Sequence, residues 1–261
     1  MRDLLDGAAG ERMELDAYFA DFEKNFWTIS ELGFWKLERQ QFFKEPGYDS
    51  WEAFAKGEWN ESLRLLEAGR ADMADYHRRV QEHGFVARRV RVAEEPIIAY
   101  LQWELYALRI RDQCGGSVRI VGPEQVAEFE HHAALPEIYT LGATVMYQAI
   151  YDDDGVLESA RRFVDRDLVM RCQRFIQDLY EAGQPLEPFF ASHVAASAIA
   201  VVDPDTAMPI GDPDDRDDAA RQVNRLDATD TGDVVQARDV HGGVQTTPTL
   251  PPSPSSRALL A

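Results

Sequence analysis

Val86-Ala87-Arg88-Arg89-Val90-Arg91-Val92 is the stretch on which the reading of this chain turns. Valines at 86, 90 and 92 alternate with polar positions. Successive side chains of a strand point to opposite faces, so this pattern predicts a half-buried β-strand. Upstream, the first hundred residues otherwise read as helical. Leu15, Tyr18, Phe19, Phe22 and Phe26 recur at helical spacing, and Trp59, Leu63, Leu66, Met73 and Val80 form a second stripe that stops at His83-Gly84. Pro46-Gly47 separates the two. Downstream, Pro96 is placed to open a helix lined by Ile97, Leu101, Leu105 and Leu108, since a proline at the first helical position forfeits no hydrogen bond. Cys114-Gly115-Gly116 then turns the chain into a short strand, Val118 to Val121, and Pro123 to Phe129 reads as a short helix.

A hairpin follows. Thr144 to Tyr151 and Val156 to Phe163 are strand-like and flank Asp152-Asp153-Asp154-Gly155, residues that tolerate the backbone of a tight turn. The next helix runs from about Asp165 to Ala182, with Leu168, Cys172, Phe175, Ile176 and Leu179 on its apolar face. Asp165 is placed to cap it and Gly183 to end it. Pro188-Phe189-Phe190 is expected to pack back on the core. Helices combined with a small antiparallel or mixed sheet make the fold class α+β.

Composition bounds the folded part. All five tryptophans lie within the first 103 residues and no aromatic residue follows Phe190. Residues 1–195 therefore read as one folded domain. Residues 196–230 read as a disordered acidic linker punctuated by Pro204, Pro209 and Pro213, too poor in large apolar side chains to offset the entropy of ordering. Residues 248–261 read as a disordered Pro/Ser-rich tail. The net charge of −19 disfavours general nucleic-acid binding, because such a surface repels a phosphate backbone. No apolar run is long enough to span a membrane, and the acidic N-terminus does not resemble a signal peptide. With two cysteines far apart in sequence, the expected compartment is the cytoplasm.

No Walker loop, dinucleotide-binding glycine run, nucleophile elbow or zinc-ligand spacing occurs, so the sequence implies neither cofactor nor metal and leaves enzymatic activity open. Three constellations merit weighing. Asp152, Asp153 and Asp154 offer carboxylates to a hard cation, but three consecutive residues cannot all face one ion, and a solvated turn is the better reading. Arg70 and His77 have the Arg-x6-His spacing of HEPN ribonucleases, where the histidine would act as acid or base and the arginine would hold the phosphate; a pair at the edge of the core is the alternative. The arginines Arg88, Arg89, Arg91, Arg109, Arg111 and Arg119 are dense for an acidic chain. A strand at 86–92 beside a helix at 97–112 would gather some of them into an anion pocket, unless each pairs with a nearby carboxylate.

Residues 231–247 stand apart from their surroundings. Val234-Val235-Gln236-Ala237 and Val244-Gln245 are β-prone arms around Val240-His241-Gly242-Gly243, and Val-Gln recurs nine residues apart. Alone such a pair is marginal; stacked with like copies, every backbone group finds a partner and the Gln side chains form ladders. The segment resembles bacterial amyloid signalling motifs related to the RIP homotypic interaction motif, although Arg238 stands where those motifs have glycine. The resemblance implies an effector or adaptor recruited by homotypic or heterotypic assembly with a motif-bearing partner, such as an NLR-like signalling NTPase. Within the domain, Arg88 to Val92 with Glu94-Glu95-Pro96 and Tyr100 to Leu105, and Tyr151 to Gly155, resemble an uncharacterised actinobacterial domain of unknown function over about residues 10–190. That family is often encoded beside helix-turn-helix regulators, which makes such a regulator a candidate partner.

Overall fold

The Arg88–Val92 segment is the middle of a sheet, and its burial was underestimated. The computed structural model of the protein describes residues 5, 7–30 and 32–195; the linker, the Val-Gln motif and the Pro/Ser-rich tail lie outside them. Strand β3 (Ala87–Val92) pairs in parallel with β2 (Phe34–Glu38) on one side and β4 (Ser117–Val121) on the other. From β2 the sheet continues antiparallel through β5 (Ile138–Leu141), β6 (Val145–Tyr151), β7 (Leu157–Phe163) and β1 (Glu11–Glu14). Beyond β4 lies β8 (Gln184–Pro185). The eight strands stand in the order β1-β7-β6-β5-β2-β3-β4-β8, and with the helices they make an α+β domain.

Two helical layers cover this sheet. Helix α1 (Leu15–Phe26), the group α2 (Asp49–Ala55), α3 (Trp59–Ala68) and α4 (Arg70–Glu82), and α5 (Ala99–Gln113) lie over one face. There Phe22, Phe26, Phe34, Tyr76, Tyr139 and Tyr147 form an aromatic core, and Phe54, Trp59, Tyr100 and Trp103 form a second. After α6 (Pro123–Val126), helix α7 (Arg166–Ala182) covers the other face, packing Cys172, Ile176 and Leu179 against Trp35, Leu37, Val90 and Val92. Helix α8 (Leu186–His193) seals the β4 side with Phe189 and Phe190, as Pro188-Phe189-Phe190 was expected to do.

Three expectations need correction. The first hundred residues are not helical throughout: β2, at the centre of the sheet, lies inside them. Its five residues are buried on both faces, so Phe34 and Trp35 interrupt the alternation that marks a half-exposed strand. The second stripe is two helices rather than one, because the chain bends at Gly69 between α3 and α4. The fifth helix starts at Ala99 rather than at Pro96, which follows a cis peptide bond from Glu95.

The hairpin and α7 stand where the sequence puts them. Asp152 Oδ1 accepts the backbone N–H groups of Asp154 and Val156, so this carboxylate organises the turn. No group of three or more potential ligand side chains that could hold a metal ion occurs among the described residues. Asp165 Oδ1 accepts N–H groups of Asp167 and Leu168 at 2.9 and 3.0 Å. Asp165→Ala orphans those donors, and denaturant unfolding is expected to show a loss of about 1 kcal/mol.

Candidate anion-binding site

Strand alternation places Lys36 and Glu38 of β2 and Arg89 and Arg91 of β3 on the face that α1–α5 cover, in register as Lys36↔Arg89 and Glu38↔Arg91. All four are buried. The strand read as half-buried thus has both faces closed, and the charges that alternation assigned to solvent are neutralised inside. Arg89 Nη1 donates to Glu38 Oε1 at 2.6 Å, with Lys36 Nζ 3.0 Å from the same oxygen. Arg91 meets Glu104 of α5, its Nε and Nη2 lying 2.8 and 2.7 Å from Oε2. Burial alone would push the Glu38 carboxyl up; Arg89, Lys36 and Arg91 outweigh it and hold Glu38 well below the usual carboxylate range. In Glu104 burial wins over Arg91, and the carboxyl rises to about 8. Burial also pushes Glu137 up to about 7, against the N–H groups of Arg39 and Gln40 that it accepts.

Ligands of open sheets with parallel strands usually bind beyond the carboxyl ends of those strands. Here a polar plug occupies that end. Arg39 pairs with Glu130 and Glu94, Glu137 holds the backbone at Arg39 and Gln40, and Gln41 Nε2 donates to the carbonyl of Val92 while its Oε1 accepts from Glu94 N–H.

The cleft lies at the opposite end, where β2, β3 and β4 begin. Phe34, Ala87, Arg88, Arg89, Arg111, Ser117 and Val118 line it, and it offers about 10 Å³ to water-sized molecules. Behind it His77 of α4 is 1% exposed, and neither ring nitrogen has a hydrogen-bond partner. Burial first, then Arg111 and Arg89, lowers His77 to about 3, so the ring is neutral. The Gly115-Gly116 pair lets β4 begin this close to the histidine. A Cβ on Gly116 would stand 2.9 Å from the Arg111 carbonyl oxygen and 3.1 Å from His77 Cε1.

Two of the arginines here differ from the rest of the set. The Arg88 guanidinium lies 4.8 Å from the Trp35 ring centre and that of Arg119 lies 5.3 Å from Tyr180, while the two rings meet edge to face. Both project from the α7 face of the sheet. Neither makes an ion pair or side-chain hydrogen bond among the described residues; Asp112 reaches Arg119 only through space, at longer range. Ser117, opposite Arg88 in register, has its hydroxyl against that of Tyr180. Rings hold these arginines in place (contacts worth roughly 0.5–2 kcal/mol each) without neutralising them.

The family model for a domain of unknown function, DUF6879, matches residues 20–191 of this sequence. The chain belongs to that family. No curated protein and no solved structure matches it. The matched span of the DUF6879 domain runs from within α1 to within α8 and contains the whole cleft.

Within the DUF6879 domain the arginines singled out from sequence are dispersed. Arg88 and Arg89 share the cleft with Arg111, and Arg119 stands on the Arg88 face one strand away. Arg91 is enclosed with Glu104, and Arg109 lies on the surface, bidentate to Glu187 over the Phe190 ring. Arg70 and His77 occupy one helix in different surroundings. Arg70 is bidentate to Glu67 on the surface, whereas His77 is enclosed. Sequence alone singles out neither Ser117 nor Tyr180, since a serine after two glycines and a tyrosine at a helix end are unremarkable until β4 and α7 meet. No helix among the described residues is long and apolar enough to cross a membrane.

Proposed function

We propose that this DUF6879 domain is a regulatory binding module for a small oxyanion, taken at the cleft where β3 and β4 begin. The observation that carries the reading is the pair Arg88 and Arg119. In a chain of net charge −19 they are fixed on Trp35 and Tyr180 with no hydrogen-bonded or ion-paired carboxylate among the described residues, and Arg88 lines the cleft with Arg89 and Arg111. Guanidinium groups suit oxyanions because their planar fork donates two parallel hydrogen bonds. Ring contacts supply the pre-organisation that such binding otherwise lacks. A module of this kind would act in the cytoplasm by reporting its ligand to a protein partner, for which a helix-turn-helix regulator is the candidate.

Calorimetric titration of the full chain with inorganic phosphate and sulfate at low salt tests this. Saturable binding is expected, weakened at least tenfold by Arg88→Gln with Arg119→Gln while the melting temperature stays within a few degrees. If neither ion binds the wild-type chain, the reading is lost.

A second reading concerns residues 231–247, where Val-Gln recurs nine residues apart among Gly and Val. It makes the chain an effector or adaptor that a motif-bearing partner such as an NLR-like NTPase recruits by cross-β assembly. A peptide covering 230–248 is then expected to form thioflavin-positive fibrils. A peptide that stays monomeric at high concentration, with and without seeds, ends this reading. The two are compatible, one naming what the domain senses and the other how it is brought to its partner.

A further inference from the structure

Residues 39–48 run as an irregular segment from β2 to α2. Gln41 ties them to the Val92 carbonyl at the end of β3. The Lys44 N–H donates to the Gly155 carbonyl in the hairpin turn, and Glu45 Oε1 accepts the Tyr100 hydroxyl of α5. The segment is thus a strap across the carboxyl ends of the parallel strands. We infer that Glu137 latches this strap as a neutral, protonated group, and that release of its proton loosens the strap as the medium turns alkaline.

The geometry of Glu137 sets it apart from the other enclosed charges. Its Oε1 accepts the backbone N–H groups of Arg39 and Gln40 at 2.7 and 2.6 Å, which fixes the start of the strap. The residue is 6% exposed, makes no ion pair among the described residues, and its Oε2 has no hydrogen-bond partner. Facing it are Glu38 of β2, Arg91 of β3 and Tyr151 of β6. Arg91 acts on it only at longer range, since its short contacts go to Glu104 of α5. Lys36 and Arg89 are bonded to Glu38, and the Arg39 guanidinium to Glu94 and Glu130.

A buried carboxylate without a counter-charge is costly, so the enclosed group is more stable neutral. The two N–H groups favour the ionised form, but burial outweighs them and the carboxyl keeps its proton up to about pH 7. Once the strap lifts, water reaches the group and it ionises in the ordinary carboxylate range. The closed form is therefore favoured at low pH. Its advantage declines from about pH 4.5 upwards and stops declining once the enclosed group has itself ionised, above about 7. Ligands of parallel strands usually bind at the end that the strap covers, so this latch controls when that end is open.

The experiment follows amide exchange of Arg39 and Gln40 in the full chain between pH 6 and 8.5, corrected for the intrinsic pH dependence of exchange. The Gly116 amide, bonded to the Arg111 carbonyl at the opposite end of the sheet, is the reference. In the wild type, protection of Arg39 and Gln40 is expected to fall about tenfold relative to Gly116 and to level off near pH 8. In Glu137→Gln it should stay constant, because the amide oxygen still accepts both N–H groups and the side chain has no proton to release. Glu104, raised to about 8, is present in both chains, so the comparison cancels it. Equal pH dependence in the two chains would overturn the inference, as would wild-type protection that does not change with pH. A Glu137→Gln chain unable to fold at pH 7.5 overturns it as well, since the amide imitates the neutral carboxyl that the closed strap requires.

Discussion

At pH 9, where Glu104 is ionised, replacing Arg91 by methionine is expected to cost about 3–5 kcal/mol of stability, the range for removing one member of a buried ion pair. Both side chains of the Arg91–Glu104 pair are fully enclosed. Arg91→Met leaves Glu104 without its counter-charge, removes the donor to the Val92 carbonyl, and takes away one of the three cations that hold Glu38 ionised. Glu104 relieves part of the cost by taking up a proton, which burial already favours. The companion variant Arg91→Met with Glu104→Leu removes both charges and restores an apolar contact. It should recover most of the loss, because desolvating the pair costs nearly what their attraction returns. Denaturant unfolding of the single and double variants measures this. A double variant as unstable as the single one would mean that the pair contributes far more than its own desolvation.

The second large effect is a pH dependence carried by His77. Its ring titrates near 3 in the folded chain, against about 6.5 when unfolded. Between these values the unfolded chain binds the extra proton, so this group's contribution is complete above pH 6.5 and is lost as pH falls towards 3. At pH 4.5 the loss amounts to roughly 3 kcal/mol, from two pH units at about 1.4 kcal/mol each. Glu104 and Glu137 act with the opposite sign. Their folded values lie above those of ordinary carboxylates, so lowering the pH through 8 and 7 relieves the cost of keeping them ionised. The histidine contribution is isolated by comparing the wild type with His77→Leu. Neither ring nitrogen has a hydrogen-bond partner, so the substitution orphans no group and should be nearly neutral at pH 7.5. Between pH 6.5 and 4.5 the variant should lose roughly 3 kcal/mol less than the wild type. Parallel unfolding curves for the two would show that His77 is accessible to protons in the folded domain.

Much of the second half of the domain was legible from local chemistry. The Asp152-Asp153-Asp154-Gly155 turn, the Asp165 cap and the apolar face of the 166–182 helix each depend on neighbours a few residues away, and each stands as read. The first half was less legible. Five residues of β2 carry too little pattern of their own to compete with the helical spacing on either side. What identifies them as a strand is the company of β3 and β5, at Ala87–Val92 and Ile138–Leu141. Alternation at 86–92 correctly separated two faces but could not reveal that helices close over both.

The site follows the same division. An arginine-rich strand in an acidic chain was visible as an anion-binding candidate, but sequence spacing cannot say which arginine finds a carboxylate. Arg89 is bonded to Glu38, 51 residues away, and Arg109 to Glu187, 78 residues away. Arg88 and Arg119 remain available because sheet register sets them beside Trp35 and Tyr180 instead. The order of residues alone determined the α+β class, the hairpin, the caps and the surplus of arginine between 88 and 119, since these arise from backbone preference and hydrophobic period within short windows. Only the tertiary structure decided the central strand, the burial of Lys36, Glu38, Arg89 and Arg91, and the location of the cleft. Ion pairing and burial depend on distances between segments that the chain brings together only by folding.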